Sequence, residues 1–539
     1  MAAEDIATPE EAKWGRPSAW APLRDRTFRM LWLVWLTANI CAWMNDTTAA
    51  WVMTTLTDSP TLVALVQTAS SMPVFLLGLP SGAFADILDR RKYFIATQFW
   101  VAANAAVLYA VAAFGALTPY VLLALVFSNG IGLAMRWPVF AAIVPELTPR
   151  MLLPAALALN GVATNLSRVV GPLAAGAIIA SIGSRYVFAL NLVLSIGAGL
   201  TLFRWRRESK PSVLPGERFL GAMRLGFQYV RESRRMRDAI VRSTAFFVNS
   251  TAILALLPLV AKQVHGGDAR TYAVLLGSMG LGAVAAATQL PRLRERWTSD
   301  ELIVGGSVIH AVSTLAVALS PNPWLAAPAM LLGGSVWITV ANSVTIAAQH
   351  ALPDWVRARG MSIYQMAIMG SFALGAVVWG RIAESMSVST SLVCAAASMI
   401  VCLFFTRGRP LHGVEHVDHT PIHPWEEPVP AHEMDPHEGP VMVTIEYLIE
   451  PTRSADFEAV MAQSRSARLR GGAVSWGLFE DVLVPGRYVE YFACDTWADY
   501  LRRFDRFSAM DVKQQEERFA FHVGEQPPKI TRYVARHPP

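Results

Sequence analysis

Long apolar segments recur along the first four hundred residues of the chain. Each is roughly 20 residues long, enough for an α-helix to cross the hydrocarbon core of a bilayer with its backbone groups paired internally. The pattern predicts twelve spans, at 28–52, 61–85, 93–114, 117–140, 154–180, 186–204, 240–261, 271–290, 301–320, 323–346, 361–382 and 388–406. A longer connection after the sixth span divides them six and six. The predicted fold class is therefore an all-α membrane protein with two six-helix halves.

The connection at 205–239 contains a helical pattern of its own. Phe219, Met223, Phe227 and Val230 recur at helical spacing among several arginines. This spacing is typical of an amphipathic helix that lies on the cytoplasmic leaflet of a membrane. A solvated linker with chance periodicity is the alternative.

The pattern changes after the twelfth span. Residues 408–439 are rich in proline, histidine and acidic residues, which indicates a tether rather than a packed element. Residues 441–447 then alternate apolar and polar side chains like a strand. Further patterns follow in the order βαββαβ, with one continuous second helix expected at 496–521. This order predicts a small α+β ferredoxin-like domain.

The chain thus divides into six predicted segments. They are a cytoplasmic amino-terminal segment, the first six-helix half, the connection, the second six-helix half, the tether and the ferredoxin-like domain, at 1–25, 26–204, 205–239, 240–407, 408–439 and 440–539. Two helices would cover one face of the four-stranded sheet and leave the other face open. An open face predicts either a homodimer formed through the carboxy-terminal domain or docking of that domain beneath the spans.

Composition and charge fit a membrane protein. Of the 539 residues, 53% are apolar and only 16% are charged, which is more apolar than one soluble core needs. Lysine and arginine concentrate in alternate loops, and basic loops favour the cytoplasmic side. We therefore predict a multi-pass protein of the cytoplasmic (inner) membrane with both termini in the cytoplasm. The net charge of +5 is then an orientation signal, and no nucleic-acid partner is predicted.

Several other classes of protein find no support in the sequence. The acidic amino terminus lacks the basic-then-apolar pattern of a cleaved signal peptide, the four cysteines form no CxxC, and no P-loop nucleotide motif occurs. His412, His416, His419 and His423 have helical spacing, but prolines between and after them break such a helix. We predict no bound metal and no cofactor.

A short charged stretch joins the second and third spans. It places Gly82, Asp86, Arg90 and Arg91 at the spacing Gly-x-x-x-Asp-x-x-x-Arg-Arg. This stretch resembles the signature motif of the major facilitator superfamily, with Asp89 in place of the motif's second glycine. Together with twelve spans and the six-plus-six division, the resemblance covers roughly residues 20–408.

Other stretches resemble one branch of that superfamily, the branch of siderophore and macrolide exporters. They are residues 165–172 in the fifth span and residues 357–361 before the eleventh. The segment 440–539 resembles the antibiotic-biosynthesis-monooxygenase-like domain that some members of the branch carry. The resemblance implies a secondary transporter in which two helical halves rock about a central site.

The charged stretch also has a physical interpretation. Gly82 lets the second span approach a neighbour closely, and the resemblance implies that Asp86 faces the positive amino-terminal end of the eleventh span. Arg90 can pair with a carboxylate such as Glu146 at the end of the fourth span. We expect these contacts to latch a cytoplasmic gate in one state and to break in the other. In the alternative, the charges, Arg91 among them, only set orientation.

The fifth span contains a second motif. Gly171, Pro172 and Gly176 resemble the core of the antiporter motif, whose small residues let this span pack on its neighbours. The match is incomplete, because Ser167 and Ala175 stand where the motif has glycines. The motif favours export.

Charged and polar side chains inside apolar spans are costly and usually functional. Asp46 in the first span and Arg168 in the fifth are the strongest candidates, and we expect Asp46 to carry a proton with Arg168 nearby. The arginine that many proton-coupled members carry in the fourth span is not found at 127–132. Further candidates for the substrate cavity are Asn39, Asn45, Asn165, Asn249, His310 and Asn342. For the last three of these, a buried hydrogen bond to another helix is the alternative.

The sequence therefore predicts a secondary active transporter, a proton-coupled exporter of a small amphipathic compound such as a siderophore, drug or metabolite. Its partners would be that small molecule, protons and the lipid bilayer. A nutrient uptake carrier is one alternative. A membrane-anchored enzyme or sensor that acts through residues 440–539 is an alternative of another class.

Overall fold

The computed structural model describes residues 20–205, 219–264, 267–411, 430, 434–504 and 509–536. Thirteen α-helices lie between residues 26 and 406 of the described chain. Their bounds are α1 (Arg26–Leu56), α2 (Pro60–Ile87), α3 (Arg90–Ala113), α4 (Pro119–Leu147), α5 (Leu153–Ser181), α6 (Ser184–Phe203), α7 (Phe219–Glu232), α8 (Arg234–Leu259), α9 (Ala269–Arg296), α10 (Ser299–Leu319), α11 (Pro323–His350), α12 (Asp354–Ser385) and α13 (Val388–Thr406).

Twelve of these helices coincide with the predicted spans, and α7 lies in the predicted connection. Among the described residues, eleven helices are long and apolar enough to cross a membrane. Of the twelve helices that match predicted spans, the exception is α1, in which Asn39, Asn45 and Asp46 interrupt the apolar run. The prediction of a multi-pass helical membrane protein is confirmed.

The helices extend past the predicted spans. α9 continues to Arg296, beyond the expected end at residue 290, and α12 begins at Asp354 rather than at residue 361. Apolar patterning detects only the lipid-facing length, whereas backbone hydrogen bonds let the helix continue into polar surroundings. Local caps set the true ends: the Asp25 side chain accepts from the Phe28 N–H at 2.7 Å before α1.

The chain forms two compact units. The first comprises Met1–Leu214, Ile240–Ile346 and Tyr364–Leu411, and therefore holds most of both six-helix halves. The second comprises Pro215–Ala239, Ala347–Ile363 and His412–Pro539. The tether histidines lie outside the described residues, apart from His437.

Aromatic side chains form the core of each half in the first unit. In the amino-terminal half, the Trp35 ring stacks on Phe140 with a centroid separation of 4.0 Å and nearly parallel planes. In the carboxy-terminal half, Phe247 contacts both Trp337 and Phe372, with centroids 5.7 and 5.3 Å apart. These rings bury large apolar areas and fix the positions of the helices that carry polar groups.

Small residues bring the two halves into contact. Gly176 of α5 packs against Ala273 of α9 so closely that a side chain at residue 176 would collide with it. Gly380 of α12 lies in the same way against Ala64 of α2. Such small-residue contacts are how helices approach each other in lipid, where the hydrophobic effect no longer drives their association.

The carboxy-terminal segment is a four-stranded antiparallel sheet with helices. Its elements are β1 (Val441–Leu448), α14 (Ser454–Arg470), β2 (Ser475–Glu480), β3 (Arg487–Cys494), α15 (Trp497–Leu501), α16 (Ala509–Phe519) and β4 (Lys529–Val534). The strand order is β2-β3-β1-β4, and every pairing is antiparallel. This order is that of the predicted ferredoxin-like fold. The single helix expected at 496–521 is wrong, because α15 ends at Leu501 and α16 begins at Ala509.

The two faces of the sheet differ in burial. Along β1, Val443, Ile445 and Tyr447 are buried beneath the helices, whereas Met442 and Leu448 on the other face are each 40% exposed. The Phe479 and Tyr491 rings stack on this second face with centroids 5.7 Å apart. The described helices of the domain thus leave one face of the sheet open, as predicted.

The predicted amphipathic helix is present as α7, but its surroundings differ from the prediction. Val230 and Tyr229 are buried within the second unit, while Phe227 is 60% exposed. The Gln228 side chain donates to the Ala473 carbonyl at 2.6 Å and to the Leu469 carbonyl at 3.1 Å, at the end of α14. Part of α7 therefore packs on protein rather than on lipid, with the Leu469 and Ala473 carbonyls at the end of α14 as its polar contacts.

Candidate functional site

Asp46 lies within α1 and is partly buried. The Ser70 hydroxyl on α2 donates to Asp46 Oδ2 at 3.1 Å. Asp46 Oδ1 is buried and has no hydrogen-bond partner in the structure. Protonation of the free oxygen would remove the charge and leave the hydrogen bond from Ser70 in place.

Arg168 of α5 lies between two tryptophans, one from each half. Its guanidinium carbon is 5.5 Å from the ring centroid of Trp43 in α1 and 4.7 Å from that of Trp337 in α11. Its Nε and Nη1 atoms are buried without hydrogen-bond partners. Among the described residues, neither a hydrogen bond nor an ion pair joins Arg168 to Asp46. The apolar spans predicted that Asp46 and Arg168 both lie well inside the membrane, but they could not predict the distance between the two residues.

The asparagines of α1 and α5 have different surroundings. Asn39 donates to the Trp35 carbonyl of its own helix at 2.7 Å. The Asn45 amide nitrogen is buried and unpartnered, and Asn45 lines a cavity of about 10 Å³ inside the first half. Asn165 is partly buried, one turn before Arg168 on the same helix.

The candidates of the second half form mainly local contacts. The Asn249 amide donates to the Ala245 carbonyl at 2.7 Å and lies 3.6 Å from Cys402 Sγ of α13. His310 Nδ1 is 3.4 Å from the Gly333 carbonyl oxygen, and its ring is 5.5 Å from that of Phe246. These contacts fit the helix-packing alternative. Asn342 is partly buried in α11.

A buried arginine in the fourth span escaped the sequence analysis. Arg136 of α4 is only 2% exposed, lies 5.4 Å from the Trp35 centroid, and lines the same small cavity as Asn45. Arg136 lies beyond 127–132, the region that corresponds to the superfamily's usual position for an arginine. The signal was present nevertheless, since Arg136 is a lone charge inside the predicted span 117–140.

The gate motif lies at one end of the helical bundle. Arg90 Nη1 donates to Glu146 Oε1 at 2.5 Å, and Arg91 Nη2 donates to the Phe203 carbonyl at 2.8 Å. The predicted pair of Arg90 and Glu146 is therefore present, joining the start of α3 to the end of α4. Gly82 and Asp86 lie in the last turns of α2. The surroundings of both residues lie outside what the structure describes.

The two halves are bridged at the opposite end of the bundle. Glu384 of α12 accepts from the Ser59 hydroxyl at 3.1 Å and from the Thr61 hydroxyl, at the start of α2. Lys262 donates to the Thr54 carbonyl of α1. Because α2 runs from one end to the other, these bridges close the end far from Arg90 and Glu146.

The antiporter-like motif packs α5 on both halves. Gly171 lies against Trp43 and the Ile40 carbonyl of α1, and Gly176 lies against α9. Pro172 is buried between them. These positions have the helix-packing geometry that the motif implies.

Residues 17–538 match a family of the major facilitator superfamily, described as transmembrane secretion effector. The chain belongs to this family. The transporter is 21% identical over 375 residues to the staphyloferrin A transporter of Staphylococcus aureus, covering 68% of this chain and 93% of that protein. It is 25% identical over 283 residues to a chloramphenicol efflux pump of Mycobacterium tuberculosis, covering 50% of this chain and 65% of that protein.

Solved structures share the fold of the transporter. A bacterial homologue of the human lysosomal transporter Spinster has a TM-score of 0.57 at 15% identity, covering 72% of this chain and 97% of that one. The nucleoside transporter NupG has a TM-score of 0.56 at 13% identity, covering 71% and 99%. At these identities the comparison supports the fold alone.

The carboxy-terminal domain of the transporter has an open groove of about 450 Å³ between α14 and the strands β2 and β3. Trp476, Tyr488 and Met461 line it, together with charged residues of α14. His522 lies elsewhere, with Nδ1 accepting from the Leu448 N–H at 3.0 Å. No cluster of metal-ligating side chains occurs among the residues that the structure describes.

Proposed function

We propose that this transporter is a proton-coupled exporter of a small amphipathic compound. The single observation that carries the proposal is the Asp46 carboxylate, which has one oxygen on Ser70 and the other buried without a partner. A proton can bind the unpartnered oxygen without breaking the hydrogen bond to Ser70. If the central site faces each side of the membrane in turn, Asp46 can load a proton on one side and release it on the other.

The bridges at one end of the bundle support an alternating-access mechanism. Glu384 and Lys262 join the halves through hydrogen bonds to side chains and a backbone carbonyl, which are contacts that can break and re-form. In the proposed orientation both termini are cytoplasmic and these bridges face outward. The Arg90 and Glu146 pair then belongs to the cytoplasmic gate.

The relatives support export as the direction. Their names describe a staphyloferrin A transporter, a chloramphenicol efflux pump and a macrolide efflux protein. None of these compounds is assigned to this chain. The substrate class that we propose is a small amphipathic compound.

Transport in everted membrane vesicles with an imposed pH gradient tests the proposal. We expect gradient-dependent accumulation of at least one compound from a labelled panel, and we expect Asp46→Asn to abolish that dependence because the amide cannot titrate. Asp58→Asn, which removes an exposed carboxylate beyond the end of α1, is the matched control and should transport normally. Gradient-dependent accumulation that persists in Asp46→Asn would refute the coupling role. Accumulation only in right-side-out vesicles would favour the uptake carrier.

A further inference from the structure

The surroundings of Arg168 are rich in hydrogen-bond donors. Three buried atoms there lack a hydrogen-bond partner among the described residues: Nε and Nη1 of Arg168 and Nε1 of Trp337. All three are N–H donors. The Trp43 ring completes the site from the side of α1. We call Arg168, Trp43 and Trp337 the Arg168 site.

No countercharge accompanies the guanidinium. Among the described residues, no carboxylate forms an ion pair with Arg168, and the acidic residue of α1, Asp46, is bonded to Ser70 instead. Arginine keeps its proton in proteins, so the charge cannot be relieved by titration. A poorly hydrated cation with unsatisfied donors is costly unless an anion pairs with it.

The walls of the site are aromatic and come from both halves. Trp43 belongs to the amino-terminal half, and Trp337 to the aromatic core that includes Phe247 and Phe372. A guanidinium that lies over aromatic faces still presents its N–H edges, and those edges match the two oxygens of a carboxylate. The site therefore offers donors for an anionic group beside flat apolar surface for the rest of the molecule.

We propose that the Arg168 site binds the anionic group of the transported compound, a carboxylate attached to an aromatic or otherwise flat apolar body. This inference rests on the proposed transport function and narrows its substrate class. The carboxylate accepts hydrogen bonds from Arg168 and Trp337, and the apolar body packs on the indole rings. Because the rings come from different halves, the ligand contacts both parts that move in alternating access.

A purely structural role for Arg168 makes a different prediction. In that case the guanidinium only holds the two tryptophans together, and its removal lowers thermal stability and weakens every ligand equally. An anion site instead predicts a loss confined to charged ligands. The comparison of an acid with its own amide separates the two roles, since the pair differs mainly in charge.

The test uses the purified full-length transporter in lipid nanodiscs, with tryptophan fluorescence as the readout. Naphthalene-2-carboxylate and the neutral naphthalene-2-carboxamide are titrated in parallel. We expect the parent to bind the acid about tenfold or more tightly than the amide. Arg168→Gln should bind both alike, and Arg168→Lys should keep part of the preference because it keeps the charge. Arg185→Gln is the matched control, since Arg185 also lies over an aromatic ring, Tyr186, but at an exposed position.

Two results would overturn the proposal: equal binding of acid and amide by the parent, or an acid preference that survives in Arg168→Gln. Melting temperatures of the ligand-free variants identify any that are misfolded. If Arg168→Gln is misfolded, the test rests on the acid preference of Arg168→Lys. Gradient-driven transport by the same proteins is measured separately. Transport of a neutral compound without any acid preference refutes only the anion site. An acid preference without gradient-driven transport of any compound refutes the proposed function.

Discussion

The Glu490 carboxylate is the most strongly bonded acidic group in the described part of the carboxy-terminal domain. It is fully buried and accepts hydrogen bonds from Arg468 Nε at 3.0 Å, Tyr447 Oη at 3.0 Å, Trp476 Nε1 at 3.0 Å and Ser464 Oγ at 3.1 Å. Burial alone would raise the pKa of Glu490, but the charge and hydrogen bonds of Arg468, with help from Arg518 and Trp476, lower it to about 2. Glu490 thus balances part of the buried arginine charge.

This pKa predicts an acid dependence of stability. A glutamate titrates near pH 4.3 when unfolded, so the stabilisation by Glu490 is complete above that pH and is lost as the pH falls toward about 2. The shift corresponds to about 3 kcal/mol. Urea unfolding of residues 440–539, followed by tryptophan fluorescence from pH 7 to pH 2, should show this loss.

Substitution of Glu490 distinguishes its contribution to the acid dependence of stability from the contributions of other carboxylates. Glu490→Gln should destabilise the domain at pH 7 by about 3 to 5 kcal/mol, because buried arginines then lose their countercharge. It should also flatten the acid dependence. Glu480→Gln at the exposed end of β2 is the control and should behave like the parent. An unchanged acid profile in Glu490→Gln would show that other carboxylates cause it.

Single residues show where sequence reasoning succeeds and where it stops. Asp46 and Arg168 stand out because a charge inside an apolar run has few explanations. The same rule applies to Arg136, which lies outside the motif position at 127–132 but is a lone charge inside an apolar run. The contact between Arg168 and Trp337 could not be predicted, since it joins helices far apart in sequence and depends on how the halves pack.

At the scale of elements, α2 and α12 connect the two proposed gates. Gly380 and Ala64 bring the helices together near the Glu384 bridge, and farther along Gly78 lies against Met366. Rocking of the halves must break one set of contacts while another forms. The Glu384 bridge is formed in this structure, so weakening it should favour the state in which that end is open.

We expect Glu384→Gln to open the bridged end more often. A charged acceptor forms stronger hydrogen bonds to Ser59 and Thr61 than a neutral amide does. Spin labels at Asp58 and Met386, measured by double electron–electron resonance, should report a larger share of long distances. Ser385→Ala is the control, because the Ser385 hydroxyl donates only within its own helix. Identical distance distributions in Glu384→Gln and the parent would argue against the bridge as a gate.

The sequence predicted which helices are present better than it predicted where they begin and end. Hydropathy located the spans because lipid demands continuous apolar length. It did not locate the start of α12 at Asp354 or the break between α15 and α16. Helix ends depend on tertiary contacts, such as that of Tyr229 in α7 with Trp355 in the first turn of α12, which periodicity alone does not encode.

At the scale of the whole molecule, the second unit combines segments that are far apart in sequence. Tyr229 of α7 donates to the Ala351 carbonyl at 3.3 Å, and its ring meets Trp355 edge-on at 5.7 Å. Glu232 of α7 accepts from the Ser466 hydroxyl at 3.2 Å. The connection between the halves therefore contacts both the start of α12 and the carboxy-terminal domain. A homodimer through the open sheet face stays a prediction.

These contacts require that the connection, the start of α12 and the carboxy-terminal domain lie on one side of the membrane. Loop charge predicts that this side is the cytoplasm. In a cysteine-free background, we expect His437→Cys to resist a membrane-impermeant maleimide in intact cells and to react after permeabilisation. Asp58→Cys, in a loop predicted to face outward, should react in intact cells and is the matched control. Both positions are exposed, so burial does not explain a difference between them. Strong labelling of His437→Cys in intact cells would reverse the orientation, and with it the assignment of the Glu384 bridge to the outer gate.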